Sequence, residues 1–255
     1  MKPPPTRSAA ERLLAVLAAF DRDCRALSLT EISRRAELTL PTAHRLLALL
    51  TGWGALERDE TGLYHVGLRL WELAALAPRG PALRDAALPF LEDLYEATHE
   101  NVQLAVRDGQ QVVYLERISG RSAVGVRTQV GARWPLHATG VGLVLLAHSA
   151  PAFQDEYLAG ELPAFTPFTV TDPVRLRRML AEARRTGCAI SDRQVTDDAL
   201  SVGAPVRGAH GEVVAAVSLV VHVDDARPST LVPAVRIAGL GISRALGWSP
   251  GGASA

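Results

Sequence analysis

Residues 28–66, SLTEISRRAELTLPTAHRLLALLTGWGALERDETGLYHV, decide how this chain is read. Ser28 followed by Glu31 has capping-box spacing, so a helix opens there. Leu29, Ile32 and Ala36 fall on its inner side, with Arg34 and Arg35 pointing out. The chain turns at Leu38-Thr39-Leu40, and Pro41 suits the first turn of a second helix, where its missing N–H is not needed. Ala43, Leu46, Leu47 and Leu50, spaced i, i+3, i+4 and i+7, give that helix one buried stripe. Ala55 to Arg58 and Leu63 to Val66 flank a turn at Asp59-Glu60-Thr61-Gly62 and predict a short hairpin. Helix, tight turn, helix and hairpin is the layout of a winged helix-turn-helix.

In such a module the first residues of the second helix reach base edges and phosphates. Thr39, Thr42, His44 and Arg45 occupy that position, and Arg34, Arg35 and Arg58 could contact the backbone beside it. An arginine can fork onto a guanine or clamp a phosphate. Taken alone, this set reads first as the solvated face of an amphipathic helix; the hairpin that follows shifts the balance to the DNA-reading alternative.

Upstream, Pro3-Pro4-Pro5 predicts a stiff lead-in, and Ser8 with Glu11 opens a helix whose apolar face is Leu13, Leu14, Val16, Leu17 and Phe20. Downstream, 67–77 reads as a short helix that Pro78, Gly80 and Pro81 break. A long amphipathic helix is expected over 83–99, carrying Leu88, Leu91, Leu94 and Tyr95. One helix side cannot cover that face and still pack its own domain, so it is expected to drive self-association. Strands are expected at 101–106, 112–118, 123–130, 189–192, 202–206 and 213–223, with helices from His137 or Ala138 to Leu146, at 173–186 and at 229–246. The turns at Asp108-Gly109 and His210-Gly211 imply hairpins and hence an antiparallel sheet covered by helices. The organisation expected is a DNA-reading domain over 1–77, a linker helix region over 78–99 and an α/β domain over 100–255.

Composition bounds the function. The 255 residues are 48% hydrophobic and 21% charged, enough for a core in each of two domains. The net charge is zero, so DNA affinity has to come from a local patch. All basic residues but Lys2 are arginine. Cys24 and Cys188 form no CxxC pair and fit a reducing, cytoplasmic compartment. The first residues lack the apolar run of a signal peptide, and the most apolar stretch, 213–223, is too short for a membrane helix. GxSxG, HExxH and P-loop motifs are missing, so no catalytic residues are assigned. His137 reads as a structural or capping residue, and Asp192, Asp197 and Asp198 as a solvated loop. The seven histidines show no i, i+4 pair, so neither a metal nor a cofactor is expected.

TEISRRAELTLPTAHRLLALLTGWGALERDETGLYHVGLRLWELA (30–74) resembles the DNA-binding domain of the IclR (isocitrate lyase regulator) family. The matching residues include Ile32, Ala36, Leu38, Thr42, His44 to Leu47, Leu50, Gly54, Tyr64, Val66-Gly67 and Leu70. GARWPLHATGVGLVLLA (131–147) and GCAISDRQVTDDALSVGAPVRGAHGEVVAAVSLVV (187–221) resemble the family's ligand-domain segments. The resemblance implies an α+β chain: a winged helix-turn-helix joined by a helical linker to a GAF-like antiparallel effector-binding domain. It implies a transcriptional regulator, not an enzyme, acting as a homodimer or homotetramer on a palindromic double-stranded operator, with no membrane partner.

Carried across by position, the family's effector contacts fall on Trp134, Gly140, Val141, Ser191, Ala199, Ser201, Ser218 and Val220. Ser191 stands where members that bind very small acids have an acidic residue, Ser201 where they have cysteine, and Val220 where they have serine. A larger or more apolar organic acid, aromatic or medium-chain, is therefore expected. The start of the helix after Pro135 offers free N–H groups to its carboxylate, with no buried arginine required. A leucine at Gly140 is expected to block the pocket without disturbing the fold. Read without the resemblance, Ser218 is a core hydroxyl that bonds its own backbone or a buried water.

Overall fold

The computed structural model describes residues 7–21, 23–77, 80–120, 123–126 and 128–249. The chain forms two compact units, Met1–Ala77 and Pro78–Ala255. The expected lead-in at Pro3-Pro4-Pro5 and the break at Pro78 lie outside the described residues.

The first unit opens on α1 (Ala9–Leu17), α2 (Leu29–Arg35) and α3 (Leu40–Trp53). The Ser8–Glu11 and Ser28–Glu31 capping boxes are both formed. α3 ends where Gly54 takes a left-handed conformation at φ 83°. Val16, Ile32, Leu47 and Leu56 meet in a core from which water is excluded. Each such side chain contributes about 1.5–3 kcal/mol of burial. Leu14, placed on the buried face of α1 by its spacing, is instead 61% exposed, because the nine-residue helix buries only a narrow stripe around Val16. The hairpin β2 (Leu56–Arg58) and β3 (Tyr64–Val66) is present. A strand not expected from sequence, β1 (Ala26–Leu27), pairs with β3 to give the order β1-β3-β2. The short helix α4 (Leu68–Ala74) follows.

The second unit is one antiparallel sheet between two helical layers. Its elements are α5 (Pro81–Thr98), β4 (Asn101–Asp108), β5 (Gln111–Ile118), β6 (Arg133–Pro135), α6 (Gly140–Ala147), α7 (Pro151–Ala159), α8 (Pro173–Thr186), β7 (Ala189–Asp192), β8 (Ala199–Arg207), β9 (Val213–His222) and α9 (Pro228–Ala245). Strand order is β6-β5-β4-β9-β8-β7, so β4 and β9 join the early hairpin to the late meander. Alternation along the strands separates two cores. Val102, Leu104, Val202 and Leu219 pack with α5 and α9, whereas Ala105, Val112, Tyr114 and Ala216 pack with α6, α7 and α8.

Four expectations change. The helix over 83–99 is not a free linker: Leu83, Ala87, Leu91 and Leu94 are buried against the sheet of its own unit. Its apolar face is thus largely used internally, and Asp85, Glu92, Asp93 and Glu96 carry its exposed side. Among the described residues of 123–130 there is no strand; β6 is the strand that pairs with β5, with Val112 opposite Trp134. The 123–130 segment is held by side chains instead, since Asn101 Nδ2 donates to the Val124 carbonyl at 2.8 Å and Gln103 Nε2 donates to Thr128 Oγ1. The helix expected from His137 or Ala138 begins at Gly140, because Thr139 Oγ1 accepts from the Gly142 N–H at 3.0 Å and sets the cap. α7 was not anticipated; its periodicity is hidden by Gln154, Asp155 and Glu156 in a nine-residue segment.

Candidate DNA-reading face and effector cavity

The start of α3 is open. Thr39 is its N-cap residue, but its hydroxyl donates to Thr42 Oγ1 at 2.9 Å and caps no N–H. Helix N–H groups left in this way are suited to phosphate. His44 and Arg45 are exposed on the next residues, and Arg34 is exposed on α2. Ser33 Oγ fastens the intervening turn by donating to the Leu38 carbonyl at 2.6 Å. Glu37 makes that turn in the left-handed region at φ 56°.

Arg35 and Arg58 are engaged at home. Arg35 Nη2 is paired with Asp21 Oδ2 and its Nη1 lies 3.0 Å from Cys24 Sγ, so it ties α2 to the loop before β1. Arg58 lies over the Tyr64 ring at 5.4 Å and donates from Nε to the Gly62 carbonyl at 3.2 Å, bracing the wing. The wing turn is organised by Asp59. Its Oδ1 accepts from the N–H groups of Thr61 and Leu63, and its Oδ2 lies 2.6 Å from His65 Nε2. The Thr61 hydroxyl also donates to Oδ1 at 2.6 Å, and it, His65 and the two N–H groups hold the Asp59 carboxyl far below the usual range.

In the second unit, a cavity opens between the α6 start and the sheet. Gln103, Tyr114, Ser201 and Val220 line it from the strands, and Ala138 and Thr139 from the turn before α6. Val126, Thr128, Val195 and Thr196 line it from the loops. About 410 Å³ is free of protein atoms, mouth included, but the centre of a water molecule has only about 40 Å³ to move in. The polar atoms are hydroxyls and one amide; none of the lining side chains is charged. Burial pushes the Tyr114 phenol up, so it stays protonated, and it bonds Thr139. Ser191 Oγ donates to the Ala138 carbonyl at 2.7 Å, fixing the turn that carries the α6 start.

Of the eight positions carried over, Ser191, Ala199, Ser201 and Val220 line the cavity. Ser218 alternates with Val220 on β9 and so faces the same side, between Gln103 and Gly203. It is fully buried, and among the described residues its Oγ has no protein hydrogen-bond partner, its own backbone included. Val141 is packed in the α6 core, and Trp134 sits on β6 edge-to-face with Phe165 at 5.2 Å. Gly140 is a contact point between helix and sheet: a Cβ there would stand 2.6 Å from Ser201 Oγ. The expected Gly140→Leu blockade without damage to the fold is therefore corrected. Sequence reading missed Gln103, Tyr114 and Thr128. Gln103 and Tyr114 were within reach, because period-two alternation on β4 and β5 places them on the cavity side.

His137 is buried and is not a cap. Its N–H donates to the Tyr157 hydroxyl at 3.2 Å, its Nδ1 lies 2.9 Å from the same oxygen, and its Nε2 lies 3.0 Å from the Pro163 carbonyl. The ring is a structural bridge between the α6 turn, α7 and the loop after it. Among the described residues, no three His, Cys, Asp or Glu side chains converge as metal ligands, and no helix is long and apolar enough to cross a membrane.

A helix-turn-helix with an exposed recognition-helix start, carried with a sheet domain that encloses a small cavity, defines a transcriptional regulator with its own effector domain. Residues 9–60 match the IclR helix-turn-helix domain and residues 79–244 the bacterial transcriptional regulator IclR C-terminal domain. The chain belongs to the IclR family of transcriptional regulators and is not an enzyme. The HTH-type transcriptional regulator XynR of Escherichia coli K12 is 32% identical over 96% of this chain and 99% of its own length. BhcR of Paracoccus denitrificans is 32% identical over 82% of this chain and 77% of its own. Among solved structures, an IclR homolog from Microbacterium hydrocarbonoxydans complexed with 4-hydroxybenzoate has a TM-score of 0.89 at 38% identity, covering 94% of this chain and 99% of that one.

Proposed function

We propose that this regulator binds a palindromic operator as a homodimer or homotetramer in the cytoplasm, and that a small organic acid in the cavity sets its operator affinity. The observation that carries the reading is the cavity itself, a small space beside the α6 start lined by hydroxyls and one amide; the buried, unpartnered Ser218 hydroxyl lies behind it on the same sheet face, two residues from Val220. A ligand that supplies that missing partner is favoured. The 4-hydroxybenzoate bound by the Microbacterium homolog makes a phenolic acid the first candidate. Arg34, Thr39, Thr42, His44 and Arg45 form the reading face, with Arg35 and Arg58 holding its frame. One such face is too small for useful affinity, so two half-sites are needed. Leu68, Trp71 and Leu76, all exposed, give the first unit an apolar surface on which two copies can pair. The ligand acts by preferring one arrangement of the paired reading domains over another.

The test is a mobility-shift assay with DNA from around the gene itself, titrated with acetate, octanoate, benzoate and 4-hydroxybenzoate. A shift released or strengthened by an aromatic acid and not by acetate is the expected result. A shift indifferent to every acid overturns the effector assignment, and no shift with any fragment overturns the DNA assignment.

A further inference from the structure

Arg117 on β5 is placed unusually for a cation. It stands opposite Gln103 in the β4–β5 register, on the sheet face that floors the cavity. Glu116, its neighbour, stands opposite Leu104 on the other face, where its Oε2 accepts from Arg84 Nε at 2.6 Å. Arg117 Nη2 donates to Asn101 Oδ1 at 3.0 Å, and Asn101 stands opposite Val220, a cavity residue. Arg117 Nε is buried without a hydrogen-bond partner, and no carboxylate pairs with the guanidinium among the described residues. Burial lowers its affinity for the proton, with no acidic neighbour to offset it. The side chain is only partly buried, but its Nε–H is shut off without an acceptor, a cost that an incoming anion would remove.

We propose that Arg117, held by Asn101, receives the carboxylate of the effector at the edge of the cavity. The inference rests on the organic-acid reading above and names the group that recognises the acid. The lining is neutral and accommodates a ring and a hydroxyl; the charge finds its partner one cross-strand neighbour beyond Gln103. A guanidinium offers Nε and Nη as a planar fork matched to two carboxylate oxygens, which a helix start or a lysine does not. Asn101 fixes the plane of that fork and, through the bond from its Nδ2 to the Val124 carbonyl, links it to the segment that covers the cavity.

The experiment is calorimetric titration of the full-length protein with 4-hydroxybenzoate and with uncharged 4-hydroxybenzamide. Wild type should favour the acid. Arg117→Gln, which can keep a bond to Asn101, should lose acid affinity by about ten- to a hundredfold and leave amide affinity unchanged, as expected for loss of a charged hydrogen bond. Arg117→Lys keeps the charge without the fork and should fall between the two; thermal melting without ligand should show both variants folded. If wild type favours the acid and both variants do so equally, Arg117 is overturned and the organic-acid reading stands. If wild type binds the amide as well as the acid, or binds no acid among acetate, octanoate, benzoate and 4-hydroxybenzoate, the organic-acid reading fails and this assignment fails with it.

Discussion

Gly140 at the start of α6 and Gly203 on β8 are in backbone contact: a Cβ on Gly203 would stand 2.6 Å from the Gly140 carbonyl oxygen. The helix can approach the sheet so closely only because neither residue has a side chain. This contact sets the distance between the α6 start and the cavity floor, and so the height of the cavity.

Gly203→Ala should therefore destabilise the second unit by about 1–3 kcal/mol, the usual cost of overpacking. Gly140→Ala should do the same, because its Cβ meets Ser201 Oγ. Urea denaturation reads the loss. Wild-type stability in both variants would show that the helix can lift away freely.

Ser218→Ala should act in opposite directions on fold and ligand. Removing an unpartnered buried hydroxyl should raise the stability of the ligand-free protein by about 1 kcal/mol. Ligand binding should weaken by about 0.5–1.5 kcal/mol for one lost neutral hydrogen bond. Thermal melting with and without 4-hydroxybenzoate measures both. A variant less stable than wild type without ligand contradicts the unpartnered state seen here.

Arg45 and Arg35 should separate reading from framing. Arg45→Ala should cost about 1–3 kcal/mol of specific DNA binding if the side chain reads a base, with the melting temperature unchanged. Arg35→Ala should lower the melting temperature of the first unit, because it releases Asp21 and Cys24. Fluorescence anisotropy with an operator fragment, beside calorimetric melting, distinguishes them; the reverse pattern would exchange their roles.

Stability of the second unit should fall in mild acid. Burial holds both His137 and His148 below the usual imidazole value. The unfolded chain then takes up the extra protons below about pH 6.5, so this contribution is complete above that pH and is lost as pH falls toward the folded-state values. Urea midpoints between pH 8 and pH 5 should show the decline, with a shallower slope in His137→Gln. An unchanged slope in that variant would place the linkage elsewhere.

The proposed pairing through α4 is directly measurable. Trp71→Ser with Leu68→Ser should weaken self-association at least about tenfold, since two exposed apolar side chains are removed from the surface. Sedimentation of the full chain tests it. If the double variant assembles as wild type does, pairing uses another surface.

The reading domain was legible because its signals are local. Capping boxes, the i, i+3, i+4, i+7 stripe on α3 and the wing turn each lie within a few residues, and all three formed. β1 escaped notice because two residues carry no periodicity; only pairing with β3 makes them a strand. The cavity was half legible. Ser191, Ala199, Ser201 and Val220 were reached through family resemblance, whereas Gln103 and Tyr114 needed the cavity face of β4 and β5 to be identified.

By itself, then, the sequence determined the order and type of most elements, the two-unit division and the position of the reading helix, because these follow from short-range periodicity and capping. Which polar groups are satisfied was decided only in three dimensions. Arg35, Arg45 and Arg58 are the same residue type and all exposed, yet Asp21 and Cys24 engage Arg35 across the fold, and Gly62 and Tyr64 engage Arg58 across the hairpin. Ser218 and Arg117 are left incomplete by the way β4 stands between β5 and β9, strands far apart in the chain. A buried donor's cost depends on what surrounds it in space, and no local pattern of residues encodes that.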